Sequence, residues 1–212
     1  MNVVSPYIPF PNIAWWGLTQ NAIVQFDGSE HFEKMTYRNK YFISGANGGI
    51  QLSIPLQNGR AQRTPMSEVV IYNKERWQTQ HWRTLVSVYK RTPFFEHYEP
   101  SLKCLFETSF EKLIDFNKAT IHWLQQQLKF SFEEQYITAY QKQYDDVLDI
   151  RKTFKPGIEK KGINTEPYYQ VFSDRNGFLP NLSMLDLLFA EGPNTMNWVK
   201  QHEAIIKVWM GL

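Results

Sequence analysis

Up to Tyr72 the apolar residues of this sequence come in short runs and at every second position, and from Asn73 they recur every three or four residues. A strand sends successive side chains to opposite faces, whereas a helix stacks every third or fourth on one face, so this change of period separates a sheet-forming third from a helical middle. Residues 3–8 read as a first strand closed by Pro9 and Pro11, residues 12–21 as a short helix carrying Ile13, Trp16 and Leu18, and residues 23–26 as a second strand stopped by Asp27-Gly28. A strand, helix, strand opening predicts two parallel strands. Residues 40–44 and 50–56 flank Gly45-Ala46-Asn47-Gly48-Gly49, a loop tolerant of positive φ, which predicts an antiparallel hairpin. Residues 68–72 read as a further strand. The expected fold class is α/β, a mixed sheet over residues 3–72 covered by helices, with α+β as the runner-up.

The helical middle begins with a stripe of Trp77, His81, Thr84, Leu85 and Val88, ended by Thr92-Pro93. A second helix is expected from about Pro100, with Cys104 buried between Leu102 and Leu105. Thr108-Ser109-Phe110-Glu111 has capping-box spacing before the stripe of Leu113, Ile114, Asn117, Ile121, Leu124 and Leu128. Ser131-Phe132-Glu133-Glu134 repeats that spacing and predicts a polar helix toward Ile150. Residues 151–181 have no sustained period. A short helix over 183–189 and a last one from Asn194 follow. The chain reads as one domain, 1–212: a sheet part 3–72, a helical part 73–150, and an irregular arm with short helices 151–212.

An apolar fraction of 42% with 16% aromatic residues provides for a core and excludes a disordered chain. Lys and Arg number 23 against 21 Asp and Glu, so the net charge of +2 argues against a nucleic-acid binder. The basic run RKTFKPGIEKK, near Tyr168, Tyr169 and Phe172, is where such binding would lie. A single cysteine leaves no internal disulfide, the first ten residues lack a positive n-region, and no apolar run nears the ~18 residues of a membrane span. The expected location is the cytoplasm.

No Walker A, dinucleotide fingerprint, nucleophile elbow or H-E-x-x-H motif is present, no metal-ligand spacing appears, and the cofactor is left undetermined. His81 titrates near neutrality and is either a proton-transfer group or a histidine packed between tryptophans. Asp27 ends a strand, where α/β proteins place ligand loops, or simply forms an Asp-Gly turn. Arg38-Asn39 leads into the hairpin, and Arg60 and Arg63 lie in the loop of residues 57–66. Their guanidinium forks suit phosphate or carboxylate. Asn117 interrupts an apolar stripe, so its amide either satisfies irregular backbone or faces a ligand. Asp145, Asp146 and Asp149 read as a solvated face.

The segments YIPFPNIAWWGLTQNAIVQFDG, YRNKYFI, LSIPLQNGRAQRTPMSEVVI and W-x3-HWRTLVSVYKRTPFFEHYEPSL, in that order, resemble the WbqC-like proteins of bacteria, as does the later GFLPNLSMLDLLFAEGP. The resemblance implies a link to O-antigen and surface-polysaccharide biosynthesis, with an activated sugar or lipid-linked glycan precursor as the small-molecule substrate. It marks Asp27, Arg38, Asn39, Thr64, Trp77, His81, Tyr89 and Tyr98 as motif residues. One departure is Gly28-Ser29-Glu30-His31, where family members often carry another acidic residue and a glutamine. The function expected is modification of, or group transfer to, a nucleotide-activated sugar. The alternative is a non-catalytic glycan or nucleotide-sugar binder, including a transferase partner subunit, and a partner protein or a second copy of the chain is left open.

Overall fold

The computed structural model describes residues 1–57, 64–158, 166–209 and 211. β1 (Asn2–Ser5), α1 (Ile13–Thr19) and β2 (Ile23–Asp27) form the parallel crossover unit the sequence predicts, with Asn2 opposite Ile23 and Ser5 opposite Phe26. Asn12 caps α1 by accepting from the Trp15 amide. Every residue of α1 is buried, which marks it as an internal helix. Trp15 packs near Phe26 of the sheet, and a Cβ on Gly17 would come within 2.8 Å of Ile206, so the glycine lets a C-terminal helix approach from the other side.

β3 (Lys40–Ile43) and β4 (Ile50–Ser53) form the expected antiparallel hairpin, standing as a separate two-stranded sheet. Three helices follow: α2 (Trp77–Tyr89), α3 (Phe95–Glu107) and α4 (Leu113–Leu128). Parallel and antiparallel pairing with helices on the sheet make the molecule α/β.

Four local expectations are corrected. The polar helix over 131–150 is instead strand: β5 (Glu133–Ile137) pairs in parallel with β2, and the short β6 (Leu148–Asp149) pairs with β1, giving the order β5-β2-β1-β6. Its capping box is unused because Lys129 turns the chain at φ 49 and Phe132 packs against Trp15 and Trp16, aligning the next residues with the free edge of β2. Of residues 68–72, Glu68 closes a 3-10 turn (Met66–Glu68) and the rest are not a strand, forming only isolated bridges, Val70 to Lys112 and Ile71 to Leu56. Pro55, having no N–H, cannot continue a ladder there. Thr108 closes α3 by donating its hydroxyl to the Cys104 carbonyl instead of opening α4. Cys104 is exposed.

The C-terminal part contributes α5 (Ser173–Asn176), α6 (Met184–Glu191), α7 (Thr195–Gln201) and α8 (Glu203–Trp209). Asp186 of α6 is buried and accepts from Tyr89 at 2.6 Å, Tyr168 at 2.8 Å and Gln170 at 2.9 Å, which ties residues 168–170 to α2. Among the described residues no helix is long and apolar enough to cross a membrane.

The Asn117 amide nitrogen donates to the carbonyls of Tyr7 at 3.0 Å and Arg38 at 2.8 Å, while its Oδ1 is buried without a hydrogen-bond partner among the described residues. It thereby fixes α4 against both the exit of β1 and the turn that carries Arg38. Asn117→Ala strands two buried carbonyls, and urea unfolding is expected to show a loss of about 2–4 kcal/mol.

Candidate functional site

All four strands of the larger sheet run the same way, so their carboxyl ends share one edge. Open α/β sheets bind ligands outside that edge. Asp27 ends β2, Glu30 and His31 follow it, Tyr140 and Tyr144 follow β5, and Arg151 follows β6. Beside them lies a cleft of about 360 Å³ whose wall includes Glu30, His31, Glu33, Lys34, Arg38, Tyr140, Arg151 and Lys152.

Two buried ion pairs build its floor. Arg38 is 2% exposed and grips Glu30 with both arms, Nε to Oε1 at 3.0 Å and Nη2 to Oε2 at 2.6 Å, and Nη2 also donates to the Arg151 carbonyl at 3.1 Å. Arg151 reaches Asp27 through Nη1 at 2.9 Å, Asp149 through Nη2 at 2.6 Å and the Gln141 carbonyl at 3.0 Å. Such forks with matched acceptors are the geometry that makes a buried guanidinium tolerable. Burial pushes the Glu30 carboxyl up, against the pull of Arg38. For Asp149 burial pushes up too, but the hydrogen bonds and charge of Arg151 win and hold it below its ordinary value.

Tyr140 completes the wall. Tyr144 and Tyr140 lie 4.7 and 5.6 Å from the Arg151 guanidinium, and Tyr140 stacks on His31 with ring centres 6.4 Å apart. One donor stays unmatched: Arg38 Nη1 is buried without a hydrogen-bond partner among the described residues, its nearest carboxylate being Glu33 at 3.8 Å.

The residues singled out from sequence are dispersed. Arg38 lines the cleft and Asp27 lies directly behind it, one oxygen accepting from the Ser29 and Glu30 amides, the other from Arg151 and Tyr144. Asn39 donates to the Ile54 carbonyl, and the Thr64 carbonyl holds the Phe32 amide. Trp77, Tyr89 and Tyr98 are core residues. Arg60 and Arg63 lie outside the described residues. His81 sits between Trp77 and Tyr41, with Nε2 against the Ser53 carbonyl at 3.2 Å and Nδ1 against the Tyr41 hydroxyl at 3.1 Å. A carbonyl only accepts, so Nε2 carries the proton and Nδ1 accepts from Tyr41. Burial lowers its pKa to about 4. This is the geometry of the packed histidine.

Tyr140 lines the cleft without having been singled out from sequence, while Glu30 and Arg151 stood out there only as part of the Gly28–His31 departure and of the basic run. Arg151 stands in the turn that follows β6, where Asp149 accepts from both its backbone amide and its guanidinium, a local arrangement that a helical reading of residues 131–150 does not predict. Among the described residues no group of three or more His, Cys, Asp or Glu is placed to hold a metal ion.

A family model described as the WbqC-like protein family matches residues 6–157. No curated protein and no solved structure matches the chain significantly.

Two outcomes are expected of variants. Asp27→Ala leaves Arg151 short of a carboxylate in a dry site and costs about 3–5 kcal/mol in urea unfolding, part of which returns when Arg151→Met is added. The fold lowers the His81 pKa, so the neutral ring's contribution is whole above about pH 6.5 and fades as pH falls toward 4. The stability difference between wild type and His81→Gln should therefore shrink by about 3 kcal/mol between pH 7 and pH 4, measured by denaturant titration at each pH.

Proposed function

The chain belongs to the WbqC-like protein family, and from that membership and the cleft at the sheet's carboxyl edge we propose that it acts on a nucleotide-activated sugar in the cytoplasm, in the making of surface-polysaccharide precursors. The observation that carries the reading is the pair of guanidiniums, Arg38 and Arg151, on the wall of one cleft with Lys34 and Lys152. A diphosphate needs several fixed cations at close quarters. Lys152 and the unused Arg38 arm offer contacts, while Arg151, whose donors go to Asp27, Asp149 and the Gln141 and Lys142 carbonyls, contributes its charge, and Glu30 and Glu33 on the same wall oppose it. Arg38 offers the donor its protein partners leave unused. Asp27 serves as a positioning residue, holding Arg151 from behind.

Non-catalytic binding is the second reading, and a specific observation favours it. Both oxygens of Asp27 and both ring nitrogens of His81 are engaged within the protein, so neither is spare for proton transfer in this state.

Thermal unfolding against UDP-glucose, dTDP-glucose and GDP-mannose tests the proposal. A bound sugar nucleotide at a hundredfold excess over its Kd is expected to raise Tm by roughly 5–10 °C. Lys152→Glu, an exposed change, should cancel that rise without moving the Tm of the free protein. A rise that Lys152→Glu leaves intact places the ligand elsewhere and defeats the reading. Turnover of the bound sugar nucleotide, followed by chromatography, separates enzyme from binding module.

A further inference from the structure

The wall of the cleft has a second side. A further cavity of about 370 Å³ is lined by Asn39, Lys40, Pro55 and Leu56 among others, and Phe32 and Lys34 belong to both linings. The two hollows therefore adjoin across the Phe32–Lys34 wall.

Each hollow holds a cation whose hydrogen-bonding capacity is not used up inside the protein. In the first it is Arg38 Nη1, buried and without a hydrogen-bond acceptor among the described residues. In the second it is Lys40, at the start of β3, whose ammonium makes no hydrogen bond or ion pair among the described residues. Lys40 is half-buried, and burial lowers its pKa, the sign of a charge held without compensation. Arg38 has its charge matched by Glu30 and lacks an acceptor for one arm only, whereas Lys40 is a partly desolvated cation without a partner among the described residues, which is unfavourable until an anion arrives.

The two linings also differ in kind. The first carries the stacked His31–Tyr140 pair, a flat surface suited to a planar base. The second offers the apolar faces of Pro55 and Leu56 with the Asn39 amide nearby, a mixture suited to a pyranose ring.

We propose that the two cavities form one bipartite site for a diphosphate diester, a nucleoside on the Tyr140 side and a sugar on the Leu56 side, with the pyrophosphate crossing the wall at Lys34 between Arg38 and Lys40. This rests on the sugar-nucleotide reading of the cleft and adds which half of the ligand goes where. A nucleoside monophosphate fills one chamber only. The linked ligand engages both, and Lys40 acts on the linked ligand alone.

Isothermal titration of the full chain with UDP-glucose, dTDP-glucose and GDP-mannose, each beside UMP, dTMP or GMP, tests this. The expected result is that at least one sugar nucleotide binds roughly tenfold or more tighter than its monophosphate, and that Lys40→Met erases this ratio while the monophosphate Kd holds. Lys40→Arg should restore the ratio, and Lys74→Met, an exposed charge loss elsewhere, should leave it unchanged. Those two variants separate a lost contact from a damaged fold or a changed net charge. A ratio indifferent to Lys40→Met overturns the bipartite site and leaves the single-cleft reading standing. If the wild-type protein binds none of the six nucleotides, the sugar-nucleotide reading falls and the bipartite site falls with it.

Discussion

Arg151 is removed from water at the edge of a parallel sheet, and the surroundings of the cleft are arranged to make that tolerable. A buried guanidinium must meet acceptors in most of its five donor directions or carry a desolvation cost of several kcal/mol. Its acceptors come from three places: Asp27 at the end of β2, Asp149 at the end of β6, and the carbonyl of Gln141 in the loop after β5. The requirement therefore ties together the outlets of three strands distant in sequence. Arg38 joins the same lattice through the Arg151 carbonyl and brings Glu30 with it. One set of charges therefore joins the outlets of these strands to the wall of the cleft.

The aromatic core supports that lattice from beneath. Phe10 contacts Tyr41, Phe106, Phe116 and Trp123, joining the exit of β1 to the hairpin and to α3 and α4. His81 hydrogen-bonds to Tyr41 on β3 and Ser53 on β4, so α2 holds both strands of the hairpin. The turn at Tyr37–Asn39 is then fixed from two directions, by the hairpin it enters and by Asn117 on α4. Arg38 and Lys40 inherit their positions from these contacts. The polar residues inside the aromatic core are thus fasteners whose effect on the cleft is indirect.

Several features were legible before any tertiary contact was known. The parallel unit of β1, α1 and β2, the hairpin around Gly48, and the stripes of α2 and α4 each follow from local period and turn chemistry. Among the site residues, Arg38 and Asp27 were legible because a fork beside a hairpin and a carboxylate at a strand end are positional arguments. Tyr89 and Tyr98 were not distinguishable from surface contacts, because a tyrosine serves equally as a core filler and a ligand platform. Glu30 and Arg151 gave too little local signal: their importance lies in partners 8 and 124 residues away.

The sequence by itself determined the class of the fold, the parallel start of the sheet and two of the charges at its edge, since these depend on side-chain period, turn residues and strand ends within a few residues of one another. Only the tertiary structure decided that residues 133–137 add a strand and that Arg151 closes the cleft. It also buried His81 between Trp77 and Tyr41 with both ring nitrogens hydrogen-bonded. The physical reason is the same in each case. A half-polar segment such as Glu133-Glu134-Gln135-Tyr136-Ile137 has near-equal local options, and the free edge of β2 chooses between them. A charge is likewise committed only when burial removes water and leaves specific acceptors as its sole alternative.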